Sequence, residues 1–120
     1  MDIENHVSRV RRICPGLPGA SEKLSHGTPT FFAKKKVFAM FASEHRNHPH
    51  TAVWIPAAPG FQSAMIDAEP NKFFRPPYVG FRGWVGVELS QVDDEELGEH
   101  ILTAWRIVTG KRPVNERRTA

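Results

Sequence analysis

Apolar residues recur at helical spacing from the start of the chain. Ile3, Val7, Val10 and Cys14 fall four, three and four apart, and Ile13 widens the stripe. This predicts a helix over 2–14 with one buried face. Asp2 and Glu4 stand near the positive end of its dipole, and Arg9, Arg11 and Arg12 near the negative end; Pro15 and Gly16 stop it. The period then shortens to two. A short strand is expected at 22–24, another at Thr30–Ala33 and a third at Val37–Ala42, with Lys34, Lys35 and Lys36 forming a charged hairpin tip. In the third strand Val37, Ala39 and Phe41 are expected to face one way and Phe38, Met40 and Ala42 the other. Both faces are apolar, so both need cover.

After a polar stretch at 43–50, Thr51–Ile55 reads as a strand that Pro56 ends. Pro59 and Gly60 open a short helix whose apolar face is expected to be Phe61, Ala64, Met65 and Ala68, and residues 72–75 form a short extended segment. The stretch from Pro76 to Leu89 is the piece around which the other strands are expected to assemble. Pro76 and Pro77 fix two φ angles and remove two donors, and Gly80 and Gly83 permit sharp turns, which together predict a rigid loop. From Trp84 the residues alternate, with Val85, Val87 and Leu89 on one side and Trp84, Gly86 and Glu88 on the other, as in a half-buried strand inside a sheet. The closing helix has the clearest signals. Asp93 suits the N-cap, Glu96 completes a capping box, and Val92 can staple onto Leu97. Leu97, Ile101, Ala104, Trp105 and Val108 make its buried stripe, and Gly110 with Pro113 ends it.

Helix, four or five strands interrupted by a short helix, then a closing helix describe an α+β two-layer sandwich. An antiparallel sheet of about five strands is expected, packed by the N- and C-terminal helices. The 120 residues suit one domain over 1–113 with a flexible tail at 114–120. No apolar run reaches the roughly 18 residues that would span a bilayer. The acidic start lacks the apolar core of a secretory signal. With Cys14 as the single cysteine, no intrachain disulfide or cysteine zinc cage can form, which fits a cytoplasmic protein. The cysteine itself reads as a small buried side chain.

Charge alters the picture modestly. Net charge is +3, with eight cations against four carboxylates in residues 1–60 and eight against nine in 61–120. A basic excess of this size permits contact with a polyanion without demanding it. No phosphate-binding glycine loop, nucleophile elbow or His-Glu-x-x-His pattern occurs, so no catalytic site and no cofactor are expected. Ser43, Glu44 and His45 are adjacent in sequence only. His45, His48 and His50 suggest a metal cluster, but their spacing matches no established zinc or nickel site, and a solvated loop is favoured; no metal is expected.

Several segments carry a resemblance: Leu17-Pro18-Gly19 with Glu22, His26-Gly27-Thr28-Pro29-Thr30-Phe31, the basic tip before Val37-Phe38-Ala39, Pro76-Pro77-Tyr78-Val79-Gly80, Gly83-Trp84-Val85-Gly86-Val87, and the end of the last helix at Lys111-Arg112. Through them the chain resembles the MmcQ/YjbR family, small bacterial proteins with a fold like that of the frataxin CyaY. The resemblance implies a non-enzymatic protein, described in the family as DNA-binding through a double wing of loops around the sheet. Carried onto this sequence, the wings are Lys34–Lys36 and the loop containing Arg82. Arg75 and Arg82 flank the diproline loop as a second attachment point, and Tyr78, Phe81 or Trp84 are candidates to stack on a base or hold another ligand. The same lysines equally suit a solubilising turn, and the aromatics a core. The competing function is a small-molecule or protein-binding module using loop 78–84. Iron handling of the frataxin kind would need an acidic ridge across the first helix, where three arginines stand instead.

Overall fold

A computed structural model describes residues 3–25, 27–43 and 51–110. The expectations for His26, for His45, His48 and His50, for Lys111 and Arg112, and for the tail lie outside the described residues. Helix α1 (Ile3–Ile13) ends in a 3₁₀ turn at Cys14–Gly16, and β1 (Ser21–Ser25), β2 (Thr28–Ala33), β3 (Lys36–Ala42) and β4 (Ala52–Ile55) come after it. Then come α2 (Phe61–Ala68), β5 (Phe73–Phe74), β6 (Val85–Glu88) and α3 (Asp94–Thr109). Six strands form one antiparallel sheet in the order β1-β2-β3-β4-β6-β5. As its alternation predicts, β6 lies inside the sheet, between β4 and β5. Among the described residues no helix is long and apolar enough to cross a membrane.

The two apolar faces have different covers. Helices α1 and α3 pack on one, where Val10, Phe31, Phe38, Val53, Val87 and Ile101 are all buried. On the other, Ala42, Ala52, Trp54 and Trp84 form a smaller cluster with Val37, Met40, Phe74 and Val79 around it. The assignment of β3 residues to faces differs from simple alternation. Phe31 pairs with Ala39 and Phe32 with Val37, so Phe38 is an extra residue in the ladder. This β-bulge shifts the pleat by one position. Phe38, Ala39 and Phe41 therefore enter the helix-side core, and Val37 joins Met40 and Ala42 on the other face. Alternation within one strand cannot reveal a bulge, because the bulge depends on which residue the neighbouring strand pairs with.

Helix α2 also turns a different face inward from the one expected. Phe61 is exposed, as are Ala64 and Ala68, whereas Met65 and Ile66 pack on the core. The inward edge begins at Gln62, whose side chain is held by backbone carbonyls of the diproline loop. Two directional hydrogen bonds outweigh the partial burial of one ring on a helix this short.

Helix α3 begins as its sequence indicates. Asp93 accepts a hydrogen bond from the Glu96 amide at 2.8 Å, and Val92 and Leu97 are both buried in the core. Gly110, at φ +69°, closes the helix in the left-handed conformation that favours glycine. Replacing Asp93 with alanine removes the cap acceptor and is expected to cost about 1 kcal/mol. Thermal unfolding observed by circular dichroism should show a fall of roughly 3–6 °C; an unchanged midpoint would mean that the cap contributes nothing.

Candidate functional site

Strand register brings the two predicted wings to one end of the sheet. Ala33 pairs with Lys36, Met40 with Trp54, and Ile55 with Val85. Moving from Met40 toward Lys36 along β3 therefore leads the same way as moving from Trp54 to Ile55 along β4, and from Gly86 back to Trp84 along β6. The lysine tip and the diproline loop both lie at that end, on strands that flank β4 and so stand about 10 Å apart.

The lysine tip is a two-residue hairpin loop. Lys34 and Lys35 have φ of +53° and +65°, values that such loops usually fill with Asn and Gly. A Cβ in this region is costly, on the order of 1 kcal/mol for each residue. All three lysines of the tip are exposed. Lys34 Nζ lies 3.4 Å from the Thr109 carbonyl oxygen, so this cation serves the negative end of α3.

The diproline loop is held from beneath by one side chain. Gln62 Nε2 donates to the carbonyls of Gly80 (2.8 Å) and Trp84 (2.6 Å), and its Oε1 accepts from Arg75 at 3.1 Å. Arg75 lies across Gly80, where an added Cβ would come 2.7 Å from Arg75 Cγ, so the close approach depends on glycine. The Val79 amide donates to the Pro77 carbonyl at 2.6 Å, which puts Tyr78, at φ +67°, at the centre of a three-residue γ-turn. The positive-φ γ-turn is rare and strained for a residue with a side chain. Tyr78 is left 85% exposed and Phe81, on the next 3₁₀ turn (Gly80–Arg82), 76% exposed. Arg82 sits 5.6 Å from the centre of the Trp84 ring. Trp84 is only 6% exposed. It is the floor beneath Arg82, so of the three aromatics expected as ligand contacts Trp84 is buried and Tyr78 and Phe81 are exposed. Gln62 was invisible to sequence reasoning, since one glutamine in a short amphipathic helix carries no positional signal.

Charge is sorted between the ends of the molecule. Arg9 and Arg12 pair with Asp94, Arg11 with Glu22, and Lys72 with Glu69 and Glu96. The arginines of α1 are thus occupied by carboxylates as well as complementing the helix dipole. Among the described residues Lys35, Lys36, Arg75 and Arg82 form no ion pair. Around a shallow cleft beside the start of α3, Lys72 and His100 both hydrogen-bond Glu96. Burial pushes the Glu96 carboxyl up, but these two donors outweigh it and hold it below the usual range. Cys14 is buried, and burial pushes its thiol up to about 12, which removes it as a nucleophile at neutral pH. Among the described residues no group of three His, Cys, Asp or Glu side chains gathers to hold a metal.

Comparison with known proteins agrees with the fold. Residues 16–107 match the model of the family described as YjbR, more than half of the chain. The crystal structure of the Deinococcus radiodurans protein DR2400, assigned to domain family DUF419, is similar with a TM-score of 0.73 at 23% identity, over 92% of this chain and 84% of that one. At that identity the likeness concerns the fold. No curated protein matches the sequence.

Proposed function

The chain belongs to the YjbR family, and from that premise we propose that it is a non-enzymatic, cytoplasmic DNA-binding protein that seats a phosphate backbone across the end of the sheet bearing Lys35, Lys36, Arg75 and Arg82. The observation that carries this reading is the sorting of charge: the cations of α1 and Lys72 are paired with carboxylates, while these four, on two loops toward one end of the sheet, have none among the described residues. Cations without a carboxylate partner are available to displace counterions from a polyanion. Neither segment, 34–36 nor 75–84, contains a carboxylate, imidazole or thiol. Exposed cations beside aromatic rings support binding of a polyanion.

Fluorescence anisotropy with labelled DNA tests the proposal. With three or four phosphate contacts, affinity should fall roughly 40–150-fold between about 50 and 200 mM salt, and in the Lys35→Ala/Lys36→Ala variant the slope of log affinity against log salt should decrease by about 1.8. Lys34→Ala should change that slope less, by under about 0.9, since Lys34, though exposed, lies against the Thr109 carbonyl. Absence of binding at about 50 mM salt would sink the proposal. A second reading, docking of a protein or small molecule through loop 78–84, is supported by the exposed Tyr78 and Phe81 rings. It expects binding insensitive to salt and to the lysine variant.

A further inference from the structure

Resting on the nucleic-acid reading of this end, we propose that its ligand is unpaired: a single strand whose bases stack on Tyr78 and Phe81 while Arg75 and Arg82 hold the phosphates on either side. Tyr78 and Phe81 are the two most exposed large apolar side chains among the described residues. Solitary exposed rings are ordinary. These two are not solitary, since they stand three residues apart on one loop between two arginines.

The backbone beneath them points the same way. Tyr78 occupies the left-handed γ-turn that glycine would adopt without strain, yet a tyrosine is there and its ring is turned outward. Strain of this sort persists only where surrounding structure imposes it, and it concentrates at ligand-contacting positions. Here the imposing structure is explicit. Pro76 and Pro77 stiffen the approach, Gln62 ties down the carbonyls of Gly80 and Trp84, Gly83 closes the turn at φ +88°, and Arg82 is laid on the Trp84 ring. The loop therefore presents its rings without the ordering cost that a mobile loop would incur on binding.

Geometry selects the strand state. In a duplex the faces of the bases are covered by their neighbours and only edges and phosphates are accessible, so an exposed ring has nothing to stack on. In a single strand every base offers a π-face, and alternation of aromatic and cationic groups is how sequence-tolerant sites hold it. The order Arg75, Tyr78, Phe81, Arg82 places two rings between two cations on a single loop.

The test compares a single-stranded DNA oligonucleotide, an RNA oligonucleotide of matching sequence and the corresponding DNA duplex, each labelled, at about 150 mM salt. Tighter binding of the single strands than of the duplex, by about tenfold or more, is expected. Tyr78→Ala/Phe81→Ala should weaken single-strand binding by roughly 5–150-fold for each stacked base lost, leaving duplex binding and the salt slope as they were. Tyr78→Gly is the companion variant, since it relieves the positive φ: its melting temperature should hold or rise while single-strand affinity falls, and Tyr78→Phe should retain affinity. Equal affinity for single strand and duplex, or single-strand binding unmoved by Tyr78→Gly, would overturn the inference and leave the nucleic-acid reading intact. Failure of every oligonucleotide to bind would overturn both. The DNA and RNA arms show which sugar the site accepts.

Discussion

Gly86→Val should be among the most destabilising single substitutions in the sheet, by about 3 kcal/mol, the upper end of what overpacking costs. Gly86 sits in β6 between Trp54 on β4 and Phe74 on β5, and the Phe74 ring lies directly over it. A Cβ at this position would come within 2.4–2.7 Å of three ring carbons. Valine adds two methyl groups beyond that, so its strand propensity cannot offset the collision. Either Phe74 must leave the face, uncovering Trp54 and Trp84, or the edge strand must separate. Thermal unfolding should show a midpoint lower by roughly 10–15 °C. The cause is checked by a second substitution: Phe74→Ala in the Gly86→Val background should recover part of the loss, giving a coupling of about 1 kcal/mol or more. A midpoint within about 3 °C of wild type, corresponding to under about 1 kcal/mol, would show that the ring moves aside freely.

Gly86 also marks the limit of what the sequence disclosed. Its alternation with Val85 and Val87 identified the strand, its two faces and its interior place, because a period of two is a local property of one segment. That it must be glycine depends on Phe74, twelve residues away along the chain, and no local pattern encodes such a contact. Phe38 repeats the lesson, since its bulge is created by pairing with Phe31 and Phe32. So does Lys34: its charge was evident, but the Thr109 carbonyl that it approaches comes from the far end of the domain. At the candidate site the residue types were legible, since cations and aromatics beside a diproline loop are unusual in any reading. Which of them face solvent was not. Trp84 and Tyr78 look equally plausible as ligand contacts until the fold buries the first and turns the second outward.

Arg9→Met should cost about 3 kcal/mol, an effect that the sequence reading of Arg9 as a dipole-complementing cation would not anticipate. Its side chain is 13% exposed and ties α1 to the connection between β6 and α3. Nη1 donates to the Leu89 carbonyl at 2.7 Å, Nη2 to the Val92 carbonyl at 2.6 Å, and Nε to Asp94 at 2.6 Å. Methionine keeps much of the apolar stem but leaves both carbonyls without that donor, and charge-assisted bonds of this type contribute about 1.5–3 kcal/mol each. Arg9→Lys should recover only part, because an ammonium cannot reproduce the planar fork that reaches three acceptors. The pH dependence separates the contributions. Hydrogen bonding from Arg9 holds the Asp94 carboxyl below its ordinary 3.8. A carboxyl lowered in the folded state contributes its stability in full above the unfolded value and loses it as pH falls through the folded one. Urea unfolding of wild type and Arg9→Met should therefore differ most near neutral pH, and the gap should narrow below about pH 4 without closing, since the two backbone carbonyls do not titrate. A gap that closed completely in acid would assign the whole effect to the ion pair, and a difference under about 1 kcal/mol at neutral pH would show that Arg9 is not the clamp described.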